Sequence, residues 1–194
     1  MVADRSSFTQ LWQSLLSSPL RTLHGWQQKR LTWLIMLATT LFLEGCALFF
    51  QYVMLLDPCE LCVYQRLAIG LLGVVSLIML IAPSNIFIRL SGYSLWVVSG
   101  LYGLQKAMIQ TGSYETFNTI NQSCNFYPTF PFELPLYEWL PSLFMPTGFC
   151  GSDDWALLGL NMAEWMVIVF GIYLLAAAVC IFSSAWCWIR TEKR

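Results

Sequence analysis

The stretch Asp57-Pro58-Cys59-Glu60-Leu61-Cys62-Val63-Tyr64-Gln65-Arg66 decides how the rest of the chain is read. Two cysteines stand two residues apart, directly before an apolar run that begins at Val63. Pro58 favours an extended residue before it and suits the first turn of a helix. The spacing predicts a short loop entering a helix, with Cys59 and Cys62 in or beside its first turn. Unpaired backbone N–H groups and the positive end of the helix dipole collect there, a setting that suits a thiolate. Arg66 follows Cys62 by four residues, one turn deeper on the same helical face. A CxxC with a cation one turn away is the pattern of a redox site.

Of the 194 residues, 57% are hydrophobic and only 11% charged. Soluble domains carry about 25% charged residues, so this composition points to a bilayer. Four segments have the apolar length to cross roughly 30 Å of hydrocarbon as helices: Leu31–Gln51, Val63–Ala82, Leu90–Gln105 and Met166–Ile189. The third is the least apolar and holds Gly92, Gly100 and Gly103, which in membrane helices allow close helix approach. The expected fold is all-α, an integral membrane four-helix bundle forming a single domain over residues 1–194. It comprises an N-terminal segment over 1–30, the helices over 31–189, and a long loop over 106–164.

Charge orients the bundle. With four crossings, both termini and the 83–89 turn share one side. That side holds Arg5, Arg21, Lys29, Arg30, Arg89, Arg190, Lys193 and Arg194, eight of the ten basic residues. The opposite side holds Lys106 together with Asp57, Glu60, Glu115, Glu133, Glu138, Asp153, Asp154 and Glu164. Positive charge stays in the cytoplasm, so the termini are expected inside and both long loops outside. No basic patch of the nucleic-acid-binding kind is present. No cleavable signal is expected, because the first apolar run begins near residue 31 and lacks a small-residue exit. Before it, Phe8, Leu11, Trp12, Leu15 and Leu16 recur at helical spacing, predicting an amphipathic helix on the inner membrane surface.

This topology sorts the seven cysteines. Cys59, Cys62, Cys124 and Cys150 fall outside, an even set in an oxidising compartment if the host has a periplasm. Cys46, Cys180 and Cys187 lie within spans and read as small apolar residues. Four cysteines allow three pairings, and proximity makes Cys59–Cys62 with Cys124–Cys150 the natural one. Two purely structural bridges would also give an even count, but a 59–62 bridge closes almost no loop and adds little stability. A Cys₄ zinc site is the other alternative; its usual form needs two close pairs, and positions 124 and 150 are far apart.

Between Cys124 and Cys150, Pro128, Pro131, Pro135, Pro141 and Pro146 exclude long regular helix. Tyr137–Met145 could form a short helix interrupted at Pro141, with Trp139, Leu140, Leu143 and Phe144 as an apolar face dipping into the outer interface. Glu44 is an acid inside a membrane span, which makes it a functional candidate by default.

The run from Glu44 through Gln51 to Arg66 resembles the first outer loop of the DsbB family, membrane oxidoreductases that form disulfides. Glu138-Trp-Leu-Pro141 resembles the second outer loop, and Leu157-Leu-Gly-Leu-Asn-Met162 the approach to the last span; the likeness covers most of 31–185. The resemblance implies a bacterial inner-membrane enzyme whose partner is a DsbA-like periplasmic dithiol protein and whose cofactor is ubiquinone or menaquinone. It implies that the partner's thiolate attacks Cys124, that Cys150 then pairs with Cys59, and that Cys62 is left as a thiolate beside the quinone. Arg66 would stabilise that thiolate and polarise the quinone. Where family members carry a histidine near the outer end of the third span, this chain has Gln110; where a Glu precedes the arginine, it has Gln65. Glu44 and Gln110 thereby join Arg66 and Cys62 as candidate quinone-binding residues. The rival readings are a reductase of the vitamin K epoxide reductase type and a disulfide-stapled membrane scaffold. The first places its quinone-facing CxxC late in the chain; the second would show no exchange with a soluble dithiol.

Overall fold

The computed structural model describes residues 19–116, 127–149 and 155–192. A short helix α1 (Pro19–Gln27) turns at Gln28 and Lys29 into α2 (Arg30–Tyr52). The loop carrying Asp57 and Pro58 leads into α3 (Glu60–Ile81), and α4 (Ile86–Thr116) follows the Pro83 turn. The outer segment 127–149 contains a 3₁₀ turn at Pro131–Glu133 and two single-turn helices, α5 (Leu136–Trp139) and α6 (Pro141–Phe144). A two-residue hairpin, Ala156–Leu157 with Leu160–Asn161, opens α7 (Met162–Glu192). The amphipathic segment expected around Phe8–Leu16 lies outside the described residues, as do Cys124 and Cys150.

Each of the four apolar runs coincides with a long helix; α2, α4 and α7 extend past theirs at both ends, while α3 starts earlier, at Glu60, and ends at Ile81, one residue short. Among the described residues three helices are long and apolar enough to cross a membrane: Arg30–Tyr52, Glu60–Ile81 and Met162–Ile189. The protein is therefore an all-α, multi-pass membrane protein. Helix α4 has 31 residues, the same as α7, and is less apolar, with Arg89, Lys106 and several hydroxyl side chains along it.

Local chemistry sets the helix ends. Asn161 Oδ1 accepts from the Glu164 N–H at 2.9 Å while Glu164 Oε2 accepts from the Asn161 N–H at 2.7 Å. This reciprocal cap satisfies two orphan donors at the start of α7. Leu158 and Gly159 both have positive φ, 55° and 81°, as a tight two-residue hairpin turn requires. At the other end of the loop, Pro58 and Cys59 feed α3 as expected from the sequence.

Helix α3 is the centre of the bundle. Val63, Ala68, Leu72, Val75 and Met79 are fully buried along it, between α2 on one side and α4 on the other. Helix α7 packs on α4, and the core joins Trp33, Leu72, Trp96 and Phe170. The glycines of α4 permit that approach: a Cβ at Gly103 would collide with the Phe170 ring, and one at Gly100 would lie 2.8 Å from Leu174. Outward, Ile35, Phe42, Leu77, Phe87, Leu90, Ile172 and Leu175 are exposed. In water such a surface would be a large aggregation liability; in a bilayer it is the solvated face.

Candidate redox site

Cys59 is the N-cap residue of α3, and its Sγ accepts from the Cys62 N–H at 3.4 Å. The cap replaces the usual oxygen with sulfur and holds both cysteines at the positive end of the helix. Cys59 Sγ and Cys62 Sγ are 3.1 Å apart. The spacing expectation for Cys59, Cys62 and the helix start holds.

The loop entering this turn is clamped from outside. Pro58 O accepts from the N–H groups of Thr147 and Gly148 at 2.9 and 3.1 Å, and Thr147 Oγ1 donates to Asp57 Oδ1 at 2.9 Å. Gly148 is required there, since an added Cβ would lie 2.5 Å from Asp57 O. A second clamp runs through Tyr64, whose hydroxyl donates to Glu60 Oε1 and accepts from the Thr129 N–H. Its ring meets Phe130 edge-on, Phe130 meets Phe144 the same way, and Lys106 Nζ stands 4.4 Å from the Tyr64 ring centroid. The segment expected as one interrupted helix over 137–145 is two turns broken at Leu140. Its apolar side chains divide: Trp139 and Leu140 face outward, while Phe144 packs inward on Phe130.

A side-chain donor to Cys62 comes from α4. Gln110 Nε2 donates to Cys62 Sγ at 3.1 Å, and Gln65 Nε2 donates to Gln110 Oε1 at 2.6 Å. Gln110 is 1% exposed. Gln65 thus fixes which way the Gln110 amide points, and Gln110 delivers its N–H to the sulfur. Both positions stand out in the sequence as departures from a family pattern; their contact with each other does not.

Arg66 is 8% exposed. Nη1 donates to Gln51 Oε1 at 2.6 Å and to Leu143 O at 3.2 Å, and Nη2 donates to Ala47 O at 3.3 Å. The guanidinium is thus held by α2 and α6, and three of its five N–H groups are used. Gln51 is a partner of Arg66 that the sequence reading does not assign; no local pattern links the two.

Cys62, Gln65 and Arg66 line one cavity of about 370 Å³ with Glu44, Phe50 and Trp165. Glu44, assigned from the sequence as an acid within a span, therefore faces the same space as the thiol and the guanidinium. Cys46, read as an apolar filler, also lines it. Cys180 and Cys187 lie at the far end of α7. Farther along α2 and α7, an apolar groove of about 400 Å³ shares Phe42, Leu43 and Val169 with the cavity. Among the described residues no group of His, Cys, Asp and Glu is placed to hold a metal.

A sulfur pair at a helix start, a buried guanidinium with unused donors and a carboxyl around one cavity can shuttle an electron pair and the protons that go with it. The comparisons with known proteins agree. Residues 29–180 match the family described as disulfide bond formation protein DsbB. The disulfide bond formation protein B of Shewanella loihica is 44% identical over 156 residues, 79% of this chain and 90% of the relative. That of Shewanella amazonensis is 44% identical over 158 residues, covering 81% and 92%. That of Psychromonas ingrahamii is 39% identical over 175 residues, covering 90% and 92%. The chain belongs to the DsbB family.

Proposed function

We propose that this membrane disulfide-generating oxidoreductase reoxidises a DsbA-like dithiol protein and delivers the electron pair to a membrane quinone in the cavity beside Cys62. The observation that carries the reading is the shared lining of that cavity by Cys62, Arg66 and Glu44. The residues fit such a group. The Nε–H and one Nη2–H of Arg66 remain for a carbonyl oxygen, the walls are otherwise apolar, and the adjoining groove suits a prenyl tail. When bound, a quinone supplies a two-electron, two-proton acceptor.

The chain's own groups carry the remaining steps. A partner thiolate attacks Cys124 of a Cys124–Cys150 disulfide, and the partner's second thiol displaces Cys124 to leave as an oxidised protein. The thiolate of Cys150 attacks Cys59, and the Cys59–Cys62 bond breaks with its electron pair on Cys62. Cys124 then attacks Cys150, re-forming the Cys124–Cys150 disulfide and releasing Cys59 as the second thiol of the reduced pair. Gln110 and the helix end hold that charge. Arg66 orients the acceptor, and Glu44 is the proton carrier within the cavity.

The same reading places the protein in the bacterial inner membrane with four crossings. Helix α4, 31 residues long, would measure about 46 Å, ample for the hydrocarbon core despite its polar residues. The excess of basic residues then puts the termini in the cytoplasm and the loops over 52–62 and 106–164 in the periplasm.

The test mixes the full chain, a reduced DsbA-like protein and ubiquinone or menaquinone, and follows quinone absorbance with partner oxidation. One quinone reduced per partner disulfide is the expected result. Thiol exchange with no quinone reduction would overturn the electron route.

A further inference from the structure

At the opposite end of the bundle a second arginine is buried, and its surroundings have no use in the redox chemistry. Arg89 is 6% exposed. Its Nη2 donates to Ser184 Oγ at 2.6 Å and, at 3.4 Å, to Tyr93 Oη and His24 Nδ1. All three acceptors are neutral groups. The network's amide acceptor is taken already: Gln27 Oε1 accepts from Tyr93 Oη at 2.6 Å and from Ser184 Oγ at 2.8 Å.

The donors of Arg89 exceed the acceptors. Nε is buried with no hydrogen-bond partner, and among the described residues nothing accepts from Nη1. Among the described residues no carboxylate bonds Arg89, and no Asp or Glu occurs over 19–43, 83–114 or 166–191. His24 does not add a second charge, because burial and the neighbouring guanidinium lower its pKa. An isolated buried cation with unmet N–H groups is costly unless an anion completes it.

We propose that Arg89, with His24 and Ser184 around it, binds one phosphate group at this end of the bundle, from an anionic phospholipid headgroup or from free phosphate. A phosphate offers several acceptor oxygens to a planar fork of N–H donors. Arg21, Lys29 and Arg30, all exposed on α1 and the start of α2, add positive potential at this end.

Native mass spectrometry of the detergent-solubilised full chain, exchanged against phosphatidylglycerol or phosphatidylcholine, tests this. Wild type should retain one phosphatidylglycerol with a preference of about tenfold over phosphatidylcholine. Arg89→Gln should abolish the preference. His24→Glu, which supplies a carboxylate beside Arg89, should abolish it too while the melting temperature holds or rises, so the test survives if Arg89→Gln fails to fold. Excess inorganic phosphate that displaces the lipid from wild type assigns the site to free phosphate; failure to displace it assigns the site to the headgroup. Equal retention of both lipids by wild type together with no rise of its melting temperature in inorganic phosphate, or undiminished phosphatidylglycerol on His24→Glu, would overturn the proposal.

Discussion

Arg66 and Arg89 are buried to nearly the same degree, at opposite ends of one bundle, and both bond only to neutral acceptors. Their companions differ. Arg66 is held by one glutamine and two backbone carbonyls and lines a cavity with Cys62 and Glu44. Arg89 sits in a mesh of hydroxyls, His24 and Gln27. A buried guanidinium therefore does not mark a redox centre by itself. The sulfur and the space beside it do.

Mutating the two arginines in parallel is the sharpest way to break this comparison. Arg66→Ala should slow quinone reduction by roughly 10²-fold, the usual effect of removing one preorganised donor from a developing anion. Thiol exchange with the partner should survive, because the proposed route runs it through Cys124. Arg66→Lys should keep part of the rate with a raised KM for quinone, since the ammonium lacks the fork. Arg89→Ala should leave the rate within about twofold of wild type. Stopped-flow quinone absorbance measures all three, and equal losses at the two arginines would erase the distinction drawn between the ends.

Gln110 comes next. Its N–H bonds Cys62 Sγ directly, and a hydrogen bond to a charged group contributes about 1.5–3 kcal/mol. Gln110→Ala should therefore slow electron delivery about tenfold or more. The alkylation rate of reduced Cys62 by iodoacetamide should change in the same variant. Gln65→Ala, which leaves the Gln110 amide free to rotate, should give a smaller loss of the same kind. A rate loss with unaltered alkylation would mean that Gln110 acts on the cavity's shape and not on the sulfur.

What was legible in the sequence is what one helix can encode. Cys59, Cys62 and Arg66 follow from a proline, a cap and a four-residue spacing, and the long helices follow from apolar runs. Gln110 reaches Cys62 across 48 positions and Gln51 reaches Arg66 across 15. Those contacts depend on how α2, α3 and α4 rotate against one another. Gly103 under Phe170 helps set such rotations, and hydropathy carries no record of them. Cys46 illustrates the same limit. Its residue type suits packing, and only the rotation of α2 turns it to the cavity. The span count shows the reverse case. Helix α4 is long enough, but its polar residues serve contacts inside the bundle and lower the apolar signal.

The outer clamp offers a smaller perturbation with no counterpart at the Arg89 end. Gly148→Ala forces a Cβ toward Asp57 O and pushes the loop off Pro58 O. Loss of packing there should cost about 1–3 kcal/mol, or roughly 2–4 °C of melting temperature per kcal/mol in a chain of this size. Differential scanning fluorimetry in detergent reads it. An unchanged melting point would mean that the loop carrying Cys59 is held by the Tyr64 clamp alone.

Gln51 should have the mildest effect, and it probes how Arg66 is aimed. Its Oε1 accepts from Arg66 Nη1 at 2.6 Å, but Leu143 O accepts from the same nitrogen and Ala47 O from Nη2. Removing one neutral acceptor of three leaves the guanidinium charged, buried and twice tethered. A neutral hydrogen bond contributes about 0.5–1.5 kcal/mol net, a factor of roughly two to ten, and the remaining tethers keep the effect near the lower value. Gln51→Ala should therefore raise the quinone KM about threefold while kcat stays close to wild type, because orientation of the bound acceptor is loosened and the charge is not lost. Gln51→Glu makes the opposite change. A carboxylate 2.6 Å from the guanidinium would draw it toward α2 and compete with the cavity for its charge. KM should then rise further than in the alanine variant. If Gln51→Glu instead binds quinone more tightly than wild type, Arg66 is not the group that receives the quinone oxygen, and the contrast between the two buried arginines must rest on Cys62 and Glu44 alone.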